Sequence, residues 1–144
     1  MTPGQSRKDL GADLSLDGRV AVVTGSGSGL GAAEAVELAR SGAAAGVIND
    51  IRSGEATDAV IADIEAAGAK ASLVVGDVSE RETADAMVAE AVRLGGLHVV
   101  VNNAGITRDK MLFNMEDDDF DAVIRVHLRG HFLLTRNAAA HWRG

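Results

Sequence analysis

The sequence predicts an α/β fold, a doubly wound parallel sheet with helices on both faces, and three observations predict it. Short apolar runs rich in Val or Ala alternate four times with longer runs of helical spacing. The short runs are apolar throughout, as strands buried on both faces are. A glycine-rich stretch, Thr24-Gly25-Ser26-Gly27-Ser28-Gly29-Leu30-Gly31, joins the first short run to the first helical one. Right-handed crossovers then place the four strands in the order 3-2-1-4.

Residues 1–14 mix Pro3, Gly4 and Gly11 with charges of both signs and are expected to form a mobile tail, with the domain over 15–144. Asp17-Gly18 reads as a turn before the first strand, Arg19 to Thr24. The helix from Leu30 to Arg40 carries Glu34, Glu37 and Arg40 on a solvated face, with alanines, Leu30, Val36 and Leu38 for the sheet. Gly42 stops it. The second strand, Ala44 to Asn49, ends at Asp50, and a helix follows over Gly54 to Ala67 with Val60, Ile61 and Ile64 on one side. Gly68 closes that helix. The third strand, Ala71 to Gly76, ends at Asp77-Val78. Ser79 and Glu82 have the spacing of a capping box, opening a helix to about Leu94 with Met87, Val88 and Ala91 inward. The fourth strand, Leu97 to Val101, runs straight into Asn102-Asn103-Ala104-Gly105. A loop with Thr107, Arg108 and Asp109 leads to an acidic helix start, Glu116 to Asp119, which suits the positive end of a helix dipole. From Phe120 the spacing is helical to about Ala140.

The bulk numbers remove several classes of function. A net charge of −7 argues against a nucleic-acid or anionic-membrane partner, both of which select basic surfaces. The absence of cysteine excludes disulfides, zinc–thiolate sites and cysteine nucleophiles. No apolar run is long enough to span a bilayer, and Met1 to Asp13 lacks the apolar core of a signal peptide. A cytoplasmic location is the expectation.

The glycine stretch points to an anion. Glycines let the backbone bend sharply and leave no side chain between it and a ligand. The helix beyond aims unpaired N–H groups and its positive dipole end at the same spot, so two phosphates can be held without a Lys or Arg. Strand, glycine bend and helix in that order make the pyrophosphate seat of a Rossmann-type fold.

Four signals, each at the carboxyl end of its own strand, carry a family resemblance: Thr24-Gly25-x-x-x-Gly29-x-Gly31, Asp50, Asp77-Val78 and Asn102-Asn103-Ala104-Gly105. Over Leu14 to Trp142 the chain resembles the short-chain dehydrogenase/reductase family. Asn102 to Asp109 is similar to bacterial 3-oxoacyl-carrier-protein reductases, and Val126 to Gly130 is similar to the hydroxyacyl-CoA dehydrogenase domain of peroxisomal multifunctional enzymes. The resemblance implies an NAD(P)-dependent oxidoreductase that reduces a keto acyl carbonyl or runs the reverse reaction. Its partners are then a dinucleotide, a small acyl, alcohol or ketone substrate, and a second copy in a homo-oligomer.

The implied cofactor contacts are Gly25, Ser28, Gly29, Leu30 and Gly31 at the diphosphate, Asp50 and Ile51 at the adenosine ribose, Asp77 and Val78 beside the adenine, and Asn103, Ala104 and Gly105 at the nicotinamide-side ribose. A carboxylate at Asp50 repels a 2′-phosphate, which favours NAD over NADP, while Arg52 two residues on could turn towards one. Each residue has a plainer reading beside this one: a structural turn for the glycines, a strand end or cap for Asp50, a capping carboxylate for Asp77, and a turn for Asn102-Asn103.

In the family, a Ser and a Tyr-x-x-x-Lys pair that follow the fifth strand carry out proton transfer. This sequence contains no tyrosine and is expected to be the cofactor half, cut before the fifth strand and inactive alone. No catalytic residue is assigned. A non-catalytic dinucleotide-binding module, or a half-domain that assembles with another chain, are the alternatives. An open edge on the fourth strand, and self-association or poor solubility, are expected consequences. The family Asn of the helix after strand four aligns with His127. His127 and His131 lie one turn apart, but no third ligand is evident, so no metal site is expected. His98 and His141 receive no role, and Ser26 and Ser28 are not nucleophile candidates.

Overall fold

The computed structural model describes residues 14–144. The proposed tail over 1–14 therefore lies outside the described residues, save for an exposed Leu14. Four strands, β1 (Val20–Val23), β2 (Ala45–Asp50), β3 (Lys70–Val75) and β4 (Val99–Val101), pair in the order β3-β2-β1-β4. Every pairing is parallel, with Val22 beside Val47 and Val100, and Ile48 beside Leu73. The expected order 3-2-1-4 is the observed one. Among the described residues β4 pairs only with β1, so its other edge is open.

Alternation along β1 and β2 sends side chains to two separate cores. Val20, Val22, Ala45 and Val47 pack with Met87, Ala91, Leu134 and Ala138. Val23 and Ile48 pack with Ala35, Val36, Ala39, Val60 and Ile64. The first face is covered by α3 (Arg81–Arg93) and α5 (His131–Arg143), the second by α1 (Gly29–Arg40) and α2 (Glu55–Ala66). This is the doubly wound arrangement, and its crevice opens at the carboxyl ends of the strands. Trp142 adds a far anchor by donating its indole N–H to Leu97 O at 2.7 Å, while His98 Nδ1 accepts the Val20 N–H at 2.9 Å.

The structure departs from the expected elements in four places. Leu30 is 72% exposed at the start of α1 rather than packed on the sheet. Glu34, on the same helix, is only partly solvated, and its Oε2 is buried without a partner. Ser79 and Glu82 form no capping box: α3 begins after Glu80, and the Ser79 hydroxyl donates instead to Asp77 Oδ1 at 2.8 Å. The last helical run opens at Asp117, within the expected acidic start Glu116 to Asp119, but it is not one α-helix. It comprises α4 (Asp117–Ile124), a π-helical turn (Arg125–Gly130) and α5, with a 3₁₀ turn at Leu112–Asn114 before it. The Glu116 N–H donates to Asp119 Oδ2 at 3.2 Å, and Lys110 pairs with the same carboxylate at 2.6 Å.

Candidate cofactor-binding site

The glycine bend begins where β1 ends. Gly25 and Gly29 have φ of +60° and +59°, a region in which a side chain is strained. A Cβ on Gly25 would stand 2.8 Å from Ala104 Cα, and one on Gly31 would stand 2.4 Å from Asn103 Nδ2 and 2.5 Å from Gly25 O. The bend is thus pressed against the Asn103-Ala104 turn. At Gly29 nothing lies within 4 Å of the same position, so the outer side of the bend is open.

Side chains from the neighbouring strand ends fasten this bend. Asn103 Nδ2 donates to Thr24 O and Gly25 O, both at 3.1 Å, and Thr24 Oγ1 accepts the Ala104 N–H at 3.0 Å. Asp50 Oδ2 accepts the Gly27 N–H at 3.1 Å, and its Oδ1 accepts the Ile51 N–H at 2.7 Å. A Cβ on Gly27 would lie 2.4 Å from that carboxylate oxygen. Asp50 therefore sits directly against the bend.

Asn49 ties three strand ends together and was not foreseen. Its Oδ1 accepts the Gly25 N–H at 3.3 Å, and its Nδ2 donates to Val74 O at 3.0 Å and Gly76 O at 3.1 Å. Ser26, also fully buried, donates from Oγ to Val23 O at 2.6 Å and accepts the Asn49 N–H at 3.1 Å. A buried amide inside an apolar strand was the available signal, since such a group needs partners.

Two recesses flank the bend. One, about 470 Å³, is lined by Gly27, Ser28, Asp50, Ile51, Arg52 and Thr57. The other, about 290 Å³, lies between Ile51, Asp77 and Val78 on one side and Ala104, Gly105 and Val126 on the other. Together they contain eight of the residues singled out in the sequence: Ser28, Asp50, Ile51, Asp77, Val78, Ala104, Gly105 and, as the doubtful specificity residue, Arg52. Gly25, Gly29, Gly31 and Asn103 line neither recess, and Gly25, Gly31 and Asn103 act as the frame behind them. Leu30 lines a third, apolar groove with Leu38 and Val101. Asp77 also has a local duty, because its Oδ1 accepts both the N–H and the hydroxyl of Ser79 at 2.8 Å.

The π turn closes the second recess. Arg129 Nε donates to Ser79 O at 2.9 Å, and a Cβ on the buried Gly130 would lie 2.7 Å from Val78 Cγ2. On the other side, His127 lies against Gly105 and bonds the Ile106 backbone, and His131 Nε2 is 3.3 Å from Ala104 O. Both histidines engage backbone groups of the same loop, with ring centroids 6.1 Å apart. Among the described residues no group of three metal-ligating side chains occurs, and no helix is long and apolar enough to cross a membrane.

A glycine bend, a strand-end carboxylate and paired recesses at the carboxyl edge of a 3-2-1-4 sheet define a Rossmann-like domain. A family model described as short chain dehydrogenase matches residues 19–144, and the chain belongs to that family. It is 63% identical over 132 residues to the hydroxyacyl-CoA dehydrogenase ChsB1 of Mycobacterium tuberculosis, covering 89% of this chain and 41% of that protein. It is 39% identical over 142 residues to the peroxisomal multifunctional enzyme type 2 of Mus musculus, covering 93% of this chain and 19% of that one. A short chain dehydrogenase from Mycobacterium avium superimposes with a TM-score of 0.84 at 45% identity, over 90% of this chain and 47% of that structure. The chain thus spans less than half the length of these relatives.

Proposed function

We propose that residues 15–144 form the dinucleotide-binding half of a short-chain oxidoreductase that interconverts a hydroxyacyl and a ketoacyl group with NAD(H). The placement of Asp50 carries this reading: a carboxylate bonded to the Gly27 N–H borders the recess beside an open glycine bend. The diphosphate would lie over Ser28, Gly29, Leu30 and Gly31, whose first-turn amides have no partners within the helix. Asp50 and Ile51 would meet the adenosine ribose, Asp77 and Val78 the adenine, and Asn103, Ala104 and Gly105 the second ribose. A 2′-phosphate would bring two negative charges against Asp50, which favours NAD over NADP. When bound, the nicotinamide supplies or accepts the hydride. These 144 residues include no tyrosine, and no proton-transfer group is assigned among them. The hydroxyacyl substrate class follows the relative named a hydroxyacyl-CoA dehydrogenase.

Calorimetric titration of the chain with NADH and NADPH tests the reading. NADH is expected to bind more tightly, and Asp50→Ala is expected to narrow the difference by roughly ten-fold, the effect of one charge–charge contact of about 1.4 kcal/mol. Equal binding of the two cofactors to the unaltered chain would remove Asp50 from specificity, and no heat with either would remove the cofactor.

We also propose a homo-oligomer in which the outer face of the last helical run is covered. Phe120, Ile124, Leu128 and Phe132 recur every four residues and are 40–64% exposed. Asp117, Asp118 and Asp121 flank the start of that run, and Arg125, Arg129 and Arg136 its later part. An antiparallel copy would therefore meet opposite charge at both ends.

A further inference from the structure

We propose that His127 is a positioning residue for the Ala104–Ile106 loop, and that the loop's grip on a dinucleotide depends on where the imidazole proton sits. The inference rests on the dinucleotide reading above. The observation is one nitrogen with two partners: His127 Nε2 lies 3.0 Å from Ile106 N and 2.8 Å from Ile106 O. The Ile106 N–H can donate only to a bare Nε2, whereas Ile106 O can accept only from a protonated one. A single imidazole nitrogen satisfies one of them at a time. A primary amide offers a donor and an acceptor side by side and can satisfy both.

The ring has little freedom to avoid this choice. A Cβ on Gly105 would lie 2.6 Å from His127 Cε1, so the imidazole rests directly on that peptide. Through Arg129 and Gly130, the same π turn is fixed to Ser79 and Val78 on the opposite wall of the recess. A change at His127 is therefore taken up by the loop rather than by the helix. Proton uptake leaves both ring nitrogens as donors, so the Nε2 bond goes to Ile106 O and the Ile106 N–H is left without an acceptor. The peptide must then turn, and Ala104 and Gly105 turn with it. The other titratable or charged groups here are His131 on the next turn, Arg125 and Arg129 on the π turn, Arg108 from the loop after β4, and Asp77 across the recess. Four of these five can carry positive charge.

The test compares His127→Asn, His127→Ala and His131→Gln with the unaltered 144-residue chain. NADH affinity is measured by calorimetry from about pH 5.5 to 8, the span over which an imidazole changes charge. The unaltered chain and His131→Gln are expected to lose affinity towards acid pH. His127→Asn is expected to bind at least as tightly as the unaltered chain at neutral pH, with a flat profile. His127→Ala is expected to bind roughly five-fold more weakly, the loss of one net hydrogen bond, also with a flat profile. An acid loss that persists in His127→Asn, or His127→Ala binding like the unaltered chain, would overturn the proposal. A second measurement needs no cofactor: the Ile106 amide resonance in the free chain should move with the His127 ring protons as pH changes. If NADH does not bind at all, the dinucleotide reading fails on its own, and an Ile106 amide shift that does not follow the His127 ring protons would separately refute the coupling.

Discussion

Gly31 is the residue whose side chain the site can least accommodate. Substitution by Ala would drive a methyl group into Asn103 Nδ2 and Gly25 O, at 2.4 and 2.5 Å. One neighbour is backbone, and the other is an amide already bonded to Thr24 O and Gly25 O, so neither can yield cheaply. Gly31→Ala should cost about 1–3 kcal/mol in urea unfolding, the ordinary range for overpacking. Gly29→Ala is the control: nothing crowds it, and only its positive φ resists, so its cost should be nearer 1 kcal/mol. These glycines, and Asp50 beside them, were legible in the sequence because their constraint is local, a bend directly between a strand and a helix. Asn49 and His127 were harder to read. Asn49 binds residues about 25 positions away on two sides, and His127 binds one 21 positions back. The roles of such residues exist only after the sheet has assembled. Leu30 misled for the opposite reason, since an apolar residue at helical spacing ordinarily packs inward, yet here it projects at the very start of α1.

At the scale of elements, the clearest dependence on pH lies between β3 and α3, away from the recesses. The Glu90 carboxylate bonds Arg93, and the Ser72 hydroxyl donates to it from β3 at 2.5 Å. These two partners, Arg93 first, hold its pKa at about 2, well below the usual glutamate range. The depressed value fixes the sign. The contribution is present in full above the ordinary value of 4.5 and is lost as pH falls towards 2. Because the pair is partly solvated, its worth is of order 1 kcal/mol rather than the full linkage value. Glu90→Gln should therefore lower stability by about 1 kcal/mol at neutral pH and flatten the acid limb of the stability curve. An unchanged acid limb in denaturant melts would show that Glu90 does not carry it. Elements themselves were read to within two residues at most ends. The exception is the final run, where helical spacing cannot tell an α turn from a π turn. The π turn holds partners far away in sequence, with Arg129 bonded to Ser79 O and His127 to the Ile106 backbone.

At the scale of the whole molecule, the open edge of β4 and the apolar stripe from Phe120 to Phe132 are both available to a partner. Strand edges and large apolar patches both favour association. The stripe exposes four large apolar side chains, so it should dominate. Gel filtration should show concentration-dependent self-association of the chain, and Leu128→Glu combined with Phe132→Glu should reduce it without loss of helical circular dichroism. A monodisperse monomer at all concentrations would mean that the stripe is not an interface. The sheet order and the two cores were legible at this scale because apolar strands and crossover handedness leave few alternatives.

The way the bend is fastened also sorts its amides before any ligand arrives. Gly25, Ser26 and Gly27 have already spent their N–H groups on Asn49 and Asp50, while Ser28 and Gly29 have no such partner and Gly29 faces open space. In heavy water the first three should trade their hydrogens slowly and the next ones quickly. A bound anion should silence only the quick set, so the isotope pattern would mark, atom by atom, where negative charge settles.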